Sequence, residues 1–282
     1  MIDLHTHTFF SDGSLSVEEL LRDARTHNID ILSITDHDTT DSIRHTSKIE
    51  IPKGMIIIPG IELSTDTYYL NKKTKIHLLG YGYDYDHPNL NKMIDDKYLL
   101  RKEDNKEYIE ELISKFSFLS SEMFEDFQFG EYGWIRKLIL KHLSKYISEE
   151  DKIILKEYLR NNMPNYRRYN FDIIESINMI HEAGGYTVFA HPYQTELEEK
   201  ELNNLVKYLK ENRLDGIETY HAESSIRDRE ISHRLSLEYD LYETGGSDFH
   251  HYVDQTMVGY GVDERVQDSE LVKKLIKEGK IL

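Results

Sequence analysis

Short runs of aliphatic and β-branched residues alternate along this chain with stretches of helical spacing. Ile2 to Leu4 begins a first strand. Ser16-Val17-Glu18-Glu19 reads as a capping box, and the helix it opens has Val17, Leu20, Leu21 and Ala24 on its apolar face. Ile31 to Thr35 gives a second strand, Met55 to Leu63 a third and Ile76 to Tyr81 a fourth. Tyr186 to Ala190 is a fifth, introduced by a helix with Ile173, Ile174, Ile177 and Ile180 inside and Gly184 as its C-cap. Gly216 to Tyr220 and Tyr242 to Gly245 complete the set. Strand and helix in alternation predict an α/β fold with a parallel sheet, and seven such units can close into a (β/α)7 barrel.

The stretch from about Tyr83 to Asn170 interrupts this order between the fourth and fifth strands. It is rich in Lys, Glu and Tyr at helical spacing (Leu99, Leu100, Tyr108, Ile109, Leu112, Ile113, Phe116) and holds the only tryptophan, Trp134. Residues 83–170 are therefore expected to form a helical insert, or cap, leaving 1–82 and 171–282 as the barrel domain. The aromatic stripe of the insert is expected to form its own core.

Composition narrows the class. At 282 residues and 39% hydrophobic the chain can bury a sizeable core. A formal charge of -17 argues against a polyanion-binding surface, so long nucleic acid is not an expected partner, and a small phosphorylated substrate must be drawn in by the site itself. With no cysteine, any metal has to be held by His, Asp and Glu. The start MIDLHTH shows neither a basic n-region nor an apolar h-region, and no run approaches the ~18 apolar residues that span a bilayer. No membrane partner is expected, and the location expected is cytoplasmic.

Chemistry gathers at the strand ends. Asp3-Leu4-His5-Thr6-His7 is followed at once by Ser11-Asp12-Gly13, and side chains two apart on a strand point the same way, so His5 and His7 can grip one ion. Thr35-Asp36-His37-Asp38 follows the second strand, and Gly60-Ile61-Glu62-Leu63 lies in the third. The fourth carries His77, the fifth ends in Ala190-His191-Pro192, the sixth in Glu218-Thr219-Tyr220-His221, and the seventh in Gly245-Gly246-Ser247-Asp248-Phe249-His250. Seven of the 14 histidines occupy these positions, an enrichment that core packing does not produce. Catalytic groups of such barrels cluster where the strands end.

In this order, DLHTHT with SDG, ITDHDT, GIELS, HLLGYG, AHP and GSDFH resemble the PHP (polymerase and histidinol phosphatase) superfamily of metal-dependent phosphoesterases. The resemblance covers about residues 1–82 and 171–262. It implies a distorted seven-stranded barrel and two to three divalent ions, Mn, Fe or Zn. One ion would take His5, His7, Glu62 and Asp248; a second Glu62, His77 and His191; a third Asp12, His37 and His250. The chemistry implied is hydrolysis of a small phosphate monoester, such as a nucleoside 3',5'-bisphosphate, by a hydroxide bridging ions ~3.5–4 Å apart.

Other residues are candidates around that centre. His221 is a candidate acid for the leaving group or a phosphate binder, and Asp36 and Asp38 flank His37 as candidates to orient imidazoles. Arg136, Arg227 and Tyr193 are candidate substrate contacts. Similar family members with an insert here include nucleoside-bisphosphate phosphatases and exonucleases on short RNA, many with an Arg-Pro-His that this chain lacks; its nearest counterpart is Tyr132-Gly133-Trp134-Ile135-Arg136. Short-oligonucleotide exonuclease and histidinol-phosphate phosphatase are the alternatives within the class. Outside it stand an amidohydrolase, disfavoured because Glu62 rather than a lysine supplies the bridge, and a non-catalytic PHP module, disfavoured because no ligand is missing.

Overall fold

β1 (Ile2–Asp3) pairs in parallel with β2 (Ile31–Ile34), and β2 in parallel with β3 (Ile56–Tyr69). The structure is a computed structural model that describes residues 1–69, 72–125, 127, 135–162, 169–251 and 258–282. Between the first two strands lies α1 (Val17–Thr26), begun by the capping box: Glu19 N donates to Ser16 Oγ at 3.1 Å and Ser16 N to the Glu19 carboxylate at 2.8 Å. Its buried face, Val17, Leu20, Leu21 and Ala24, packs with Ile29, Leu32, Ile34 and Ile57. After β2 comes the short α2 (Asp41–Thr46).

The all-parallel sheet expected from the alternation fails at the fourth strand. β3 runs on to Tyr69 and β4 begins at Lys72 and ends at Tyr81, a connection far too short for a crossover, so the pair is antiparallel. β6 (Tyr186–Phe189) is antiparallel to β4 in turn, and β7 (Gly216–His221) and β8 (Tyr242–Gly246) then continue in parallel. β5 (Phe171–Asp172) pairs beside β3, outside the path β1-β2-β3-β4-β6-β7-β8. The path returns on itself where Leu4 N donates to Gly245 O at 3.2 Å and Asp248 N to His5 O at 2.9 Å. Gly246 makes that closure possible, because a Cβ there would collide with the His5 backbone. The fold is thus an α/β, nearly closed, distorted seven-stranded barrel.

Helices α6 (Ile173–Glu182), α7 (Glu199–Glu211) and α8 (Ile226–Tyr239) connect the later strands, and α9 (Glu270–Lys277) packs Leu271, Val272 and Leu275 against Ile2, Leu79, Val188 and Tyr220. α6 has Ala183 as its cap, with Gly184 following at φ +80 in the left-handed position that ends it.

Two compact units divide the chain, 1–92 with 170–282 and 93–169. Residues 83–92, placed in the insert on sequence grounds, cluster with the barrel unit: the buried Tyr83 hydroxyl donates to Gly60 O at 2.9 Å, and Thr40 Oγ1 to Asn91 Oδ1 at 2.8 Å. The second unit holds most of α3 (Pro88–Lys115), α4 (Ile135–Leu143) and α5 (Glu149–Asn161) around Tyr108, Leu112, Leu119, Ile139, Leu143, Leu155 and Leu159. Leu99 and Leu100 are exposed rather than part of that core. Trp134 lies outside the described residues. No described helix is long and apolar enough to cross a membrane.

Candidate metal centre

The strand geometry brings the candidate ligands together at one end of the barrel. His5 and His7 extend from β1, and the Thr6–Phe249 bridge holds that extension against the one from β8. Beyond β2, His37 bridges to Glu62 in the middle of β3. On β4, Leu79 is the partner of Glu62 and His77 that of Ser64, so His77 is a diagonal neighbour on the Glu62 face. His77 and Glu62 thus lie within their antiparallel strands, whereas the other candidate ligands follow theirs. His191 follows β6, His221 ends β7, and Asp248 and His250 follow β8.

Five imidazoles surround one carboxylate. Glu62 Oε2 lies 3.1 Å from His5 Nε2, 3.3 Å from His7 Nε2 and 3.3 Å from His37 Nδ1. Its Oε1 lies 2.6 Å from His77 Nδ1 and 2.9 Å from His191 Nε2. Asp248 Oδ1 is 3.1 Å from His7 Nε2 and 3.3 Å from His5 Nε2, and Asp12 Oδ1 is 3.2 Å from His250 Nε2. Among the described residues, four groups have donor atoms all within 4.8 Å of one another: His5, His7, Glu62 and Asp248; His7, Asp12, His37 and His250; His37, Glu62 and His77; and His5, Glu218 and His221. His191 reaches Glu62 but belongs to none of these.

Hydrogen bonding alone leaves this arrangement unsatisfied. Both nitrogens of His7, Nδ1 of His37, Nε2 of His77 and Oδ1 of Asp248 are buried without a hydrogen-bond partner. Such groups are costly unless something meets them, and these nitrogen and oxygen donors fit a divalent cation. The backbone is strained in the same place: Asp38, His191 and Asp248 have φ of 53°, 28° and 53°, conformations that cost non-glycine residues on the order of 1–3 kcal/mol each.

The electrostatics split the imidazoles. Burial works against an imidazolium at His5, but Asp248, Glu218 and Glu62 raise its pKa well above the ordinary value. His7 is pushed up to about 10, burial being overridden by the negative charge of the adjacent Asp248 and Glu62 carboxylates. His37 is lowered by its burial, and His77 is lowered by burial to about 4, with Glu62 offsetting only part in each. Burial would raise the carboxylates too, yet the surrounding imidazoles hold Glu62 and Asp248 well below the usual range and Asp12 below it as well.

Several expected roles change on the structure. Asp36 faces no imidazole: it accepts from Thr8 N at 2.7 Å, Thr8 Oγ1 at 2.6 Å and Ser11 Oγ at 2.5 Å, and so fixes the loop between His7 and Asp12. Asp38 accepts from Ser64 N at 2.7 Å, tying the loop after β2 to β3. His221 has both nitrogens engaged, Nδ1 accepting from Glu223 N at 3.0 Å and Nε2 lying 3.2 Å from Asp248 Oδ2. That geometry orients Asp248 rather than leaving a free acid. Tyr193 places its hydroxyl 3.3 Å from His221 Nδ1 and lines, with Arg227, a cavity of about 230 Å³ between Pro192 and α8. Two residues after Arg227, Arg229 donates to His221 O at 3.1 Å and to Ser224 Oγ at 3.1 Å, bracing the turn that carries His221. Residues 132–134 and the side chain of Arg136 lie outside the described residues.

Glu218 is the functional residue to which sequence reasoning gave no role. Fully buried, it puts Oε1 3.0 Å from His5 Nδ1 and accepts from His191 N with Oε2 at 2.8 Å. Holding Nδ1 directs His5 Nε2 toward Glu62 and Asp248, and the second contact fixes the strained turn at His191. The signal was a lone carboxylate in a wholly buried strand. A register irregularity between Glu218 and Tyr220 lets Glu218 and His221 serve the same site despite their odd spacing.

Comparison with known proteins adds three findings. The family model described as PHP domain matches residues 3–245. Among curated proteins, the 5'-3' exoribonuclease Rnm of Escherichia coli is 29% identical over 88% of this chain and 84% of its own length, and a 3',5'-nucleoside bisphosphate phosphatase of Chromobacterium violaceum is 24% identical over 88% and 87%. A solved Chromobacterium violaceum structure, described as an amidohydrolase with bound sulfate and no metal, superposes with a TM-score of 0.76 at 22% identity, covering 100% of this chain and 97% of that one. At that identity the likeness is one of fold.

Proposed function

Because the chain belongs to the PHP domain family and is a hydrolase of phosphate ester bonds, we propose that it uses two to three divalent cations to cleave a terminal phosphate from a small nucleotide, with a nucleoside 3',5'-bisphosphate as the first candidate. The observation that carries this reading is Glu62, a buried carboxylate with imidazoles on both oxygens. Two oxygens facing two sets of nitrogens suit a carboxylate shared between cations. In this reading His5, His7 and Asp248 hold one, His77 and His191 another, and Asp12, His37 and His250 a third, with His7 near enough to join the last. When bound, such cations act as Lewis acids, making water a nucleophile near neutral pH and neutralising the charge that builds on phosphoryl oxygens.

The protein's own part is to place and orient. Glu218 and His221 fix His5 and Asp248, and Asp36 fixes the loop that presents His7 and Asp12. Tyr193 stays protonated because burial and the nearby Glu223 push its pKa up, so its hydroxyl is available to donate to a phosphate oxygen. Arg227, exposed on the first turn of α8, adds a cation beside it. A centre whose deepest ligands are wholly buried suits the end of a molecule better than the middle of a long chain.

The 29% identity to an exoribonuclease favours one second reading, stepwise cleavage of short RNA from its end. Release of phosphate or nucleotide would be followed from adenosine 3',5'-bisphosphate, 5'-AMP, histidinol phosphate and RNA of two to twenty nucleotides, with Mn and after chelation. The bisphosphate should be cleaved fastest and only with metal. Faster turnover of RNA that holds as length grows would replace the small-nucleotide reading. Failure on every phosphate ester by metal-loaded protein would overturn both.

A further inference from the structure

At the opposite end of the strands lies a second concave site. Where β6 and β7 begin, a cavity of about 370 Å³ is lined by His181, Tyr186, Lys210, Arg213, Asp215 and Lys280. Tyr186 stands five residues before His191, roughly 16 Å in extended chain, so this cavity is separate from the metal centre.

Its charge is the reverse of the chain's. In a protein of net charge -17, the lining carries three permanent cations against one carboxylate. Asp215 is already committed: its Oδ2 accepts from Thr187 N at 2.8 Å and Thr187 Oγ1 at 3.1 Å and faces His181 Nε2 at 2.6 Å. Two of the cations have partial structural explanations. Lys210 Nζ donates to Asp240 O at 2.8 Å, and Lys280 Nζ donates to Gly184 O and meets Glu278 at 3.1 Å, contacts that serve the ends of α8 and α6. An ammonium has three donors, so Lys210 keeps N–H groups to spare on a head already held in place.

Arg213 is exposed at the mouth of this cavity and is held by no such contact. It follows α7 at φ +75, the left-handed position that glycine usually fills, and its guanidinium makes no hydrogen bond or ion pair with a described residue. Keeping a strained arginine there, beside two lysines, adds repulsion that an anion would offset. The neighbouring His181 also leaves a buried Nδ1 without a partner.

We propose that this cavity binds a phosphate-type dianion, either free phosphate or the terminal group of a monoester, independently of the metal centre. The guanidinium fork can give paired donors to two phosphate oxygens, and the lysines add fixed point charges. Calorimetric titration of the full-length protein with inorganic phosphate, and separately with methylphosphonate as a non-hydrolysable stand-in for an ester, tests it. Phosphate should bind wild type and Asp248→Ala alike at this site, and Arg213→Gly should weaken that binding at least tenfold in either background. Glycine suits φ +75, so an unchanged or raised melting midpoint should accompany the loss; Lys280→Gln gives a second variant with the same expected direction. Binding of either anion with this dependence supports the site, and the ratio of the two affinities identifies the source. No binding in Asp248→Ala, or affinities indifferent to both Arg213→Gly and Lys280→Gln, would overturn it.

Discussion

The depth of the metal centre and its rim are built on different principles. In the depth, His5, His7, Glu62 and Glu218 are at most 1% exposed, and His5 is held on both nitrogens by carboxylates. At the rim, His77, His37, Asp248 and His250 are 11%, 16%, 17% and 23% exposed. His250 is held by its own loop, its Nδ1 lying 2.7 Å from Asp248 O, and by a single carboxylate, Asp12, on Nε2. The depth is a fixed template that cannot adjust without unburying charge, whereas the rim can give way, and it is there that cation or substrate can enter. Within one site, rigidity is concentrated where the bridging carboxylate sits.

The comparison breaks most completely if the ligands joining the two layers are removed. Asp248→Ala, or His5→Ala with His7→Ala, is expected to lower turnover by roughly 10³-fold or more, since cation stabilisation is worth several kcal/mol. Far-ultraviolet circular dichroism should stay near that of wild type, because the barrel core lies elsewhere. Full turnover by either variant would remove the assigned site. Next in size is Glu218→Gln, which keeps shape but weakens the hold on His5 Nδ1. Loss of a group behind a metal ligand typically costs 10–100-fold in affinity or activity, so metal affinity measured by competition with a chelator should fall by about that factor. An unchanged affinity would mean that burial alone positions His5.

His250→Ala should cost least of these, about tenfold in turnover at limiting metal, with recovery in excess Mn, because only a half-open ligand is lost. Activity against metal concentration separates the cases. Recovery in His250→Ala without recovery in the His5→Ala, His7→Ala variant is the signature of a permissive rim over a fixed depth, and identical behaviour would erase the distinction.

Much of this division was legible in the chain. His-x-His on a strand fixes two parallel side chains whatever the fold, and every candidate ligand lies within a strand or just beyond one. The direction of β4 was not legible, since Ser64 to Lys75 is poor in aliphatic residues and reads as a loop, while the structure extends both strands through most of it. Glu218 was visible as a residue but not as a partner, because the irregularity that turns it toward His5 leaves no mark in the spacing. Asp36 was misjudged for a related reason: adjacency to His37 says nothing about facing it, and the loop at Thr8 and Ser11 offered the better donors.

The smallest effect, and the sharpest test of the two layers, is on the stability of metal-free protein against pH. His5 and His7 have folded pKa values above the unfolded one, that of His7 at about 10, so their contribution is complete below about 6.5 and is lost as pH rises toward 10. His37 and His77 have the opposite sign, His77 at about 4, so theirs is complete above about 6.5 and is lost as pH falls toward 4. Apo protein should therefore melt highest between these windows, with the midpoint falling by a few degrees on either side. His7→Gln should flatten the alkaline limb alone and His77→Gln the acid limb alone. Cation binding should displace protons from the deep pair, so the heat of Mn binding near pH 7.5 should vary with the ionisation enthalpy of the buffer. A single monotonic limb, or a binding heat blind to the buffer, would mean that the depth and rim titrate as one unit.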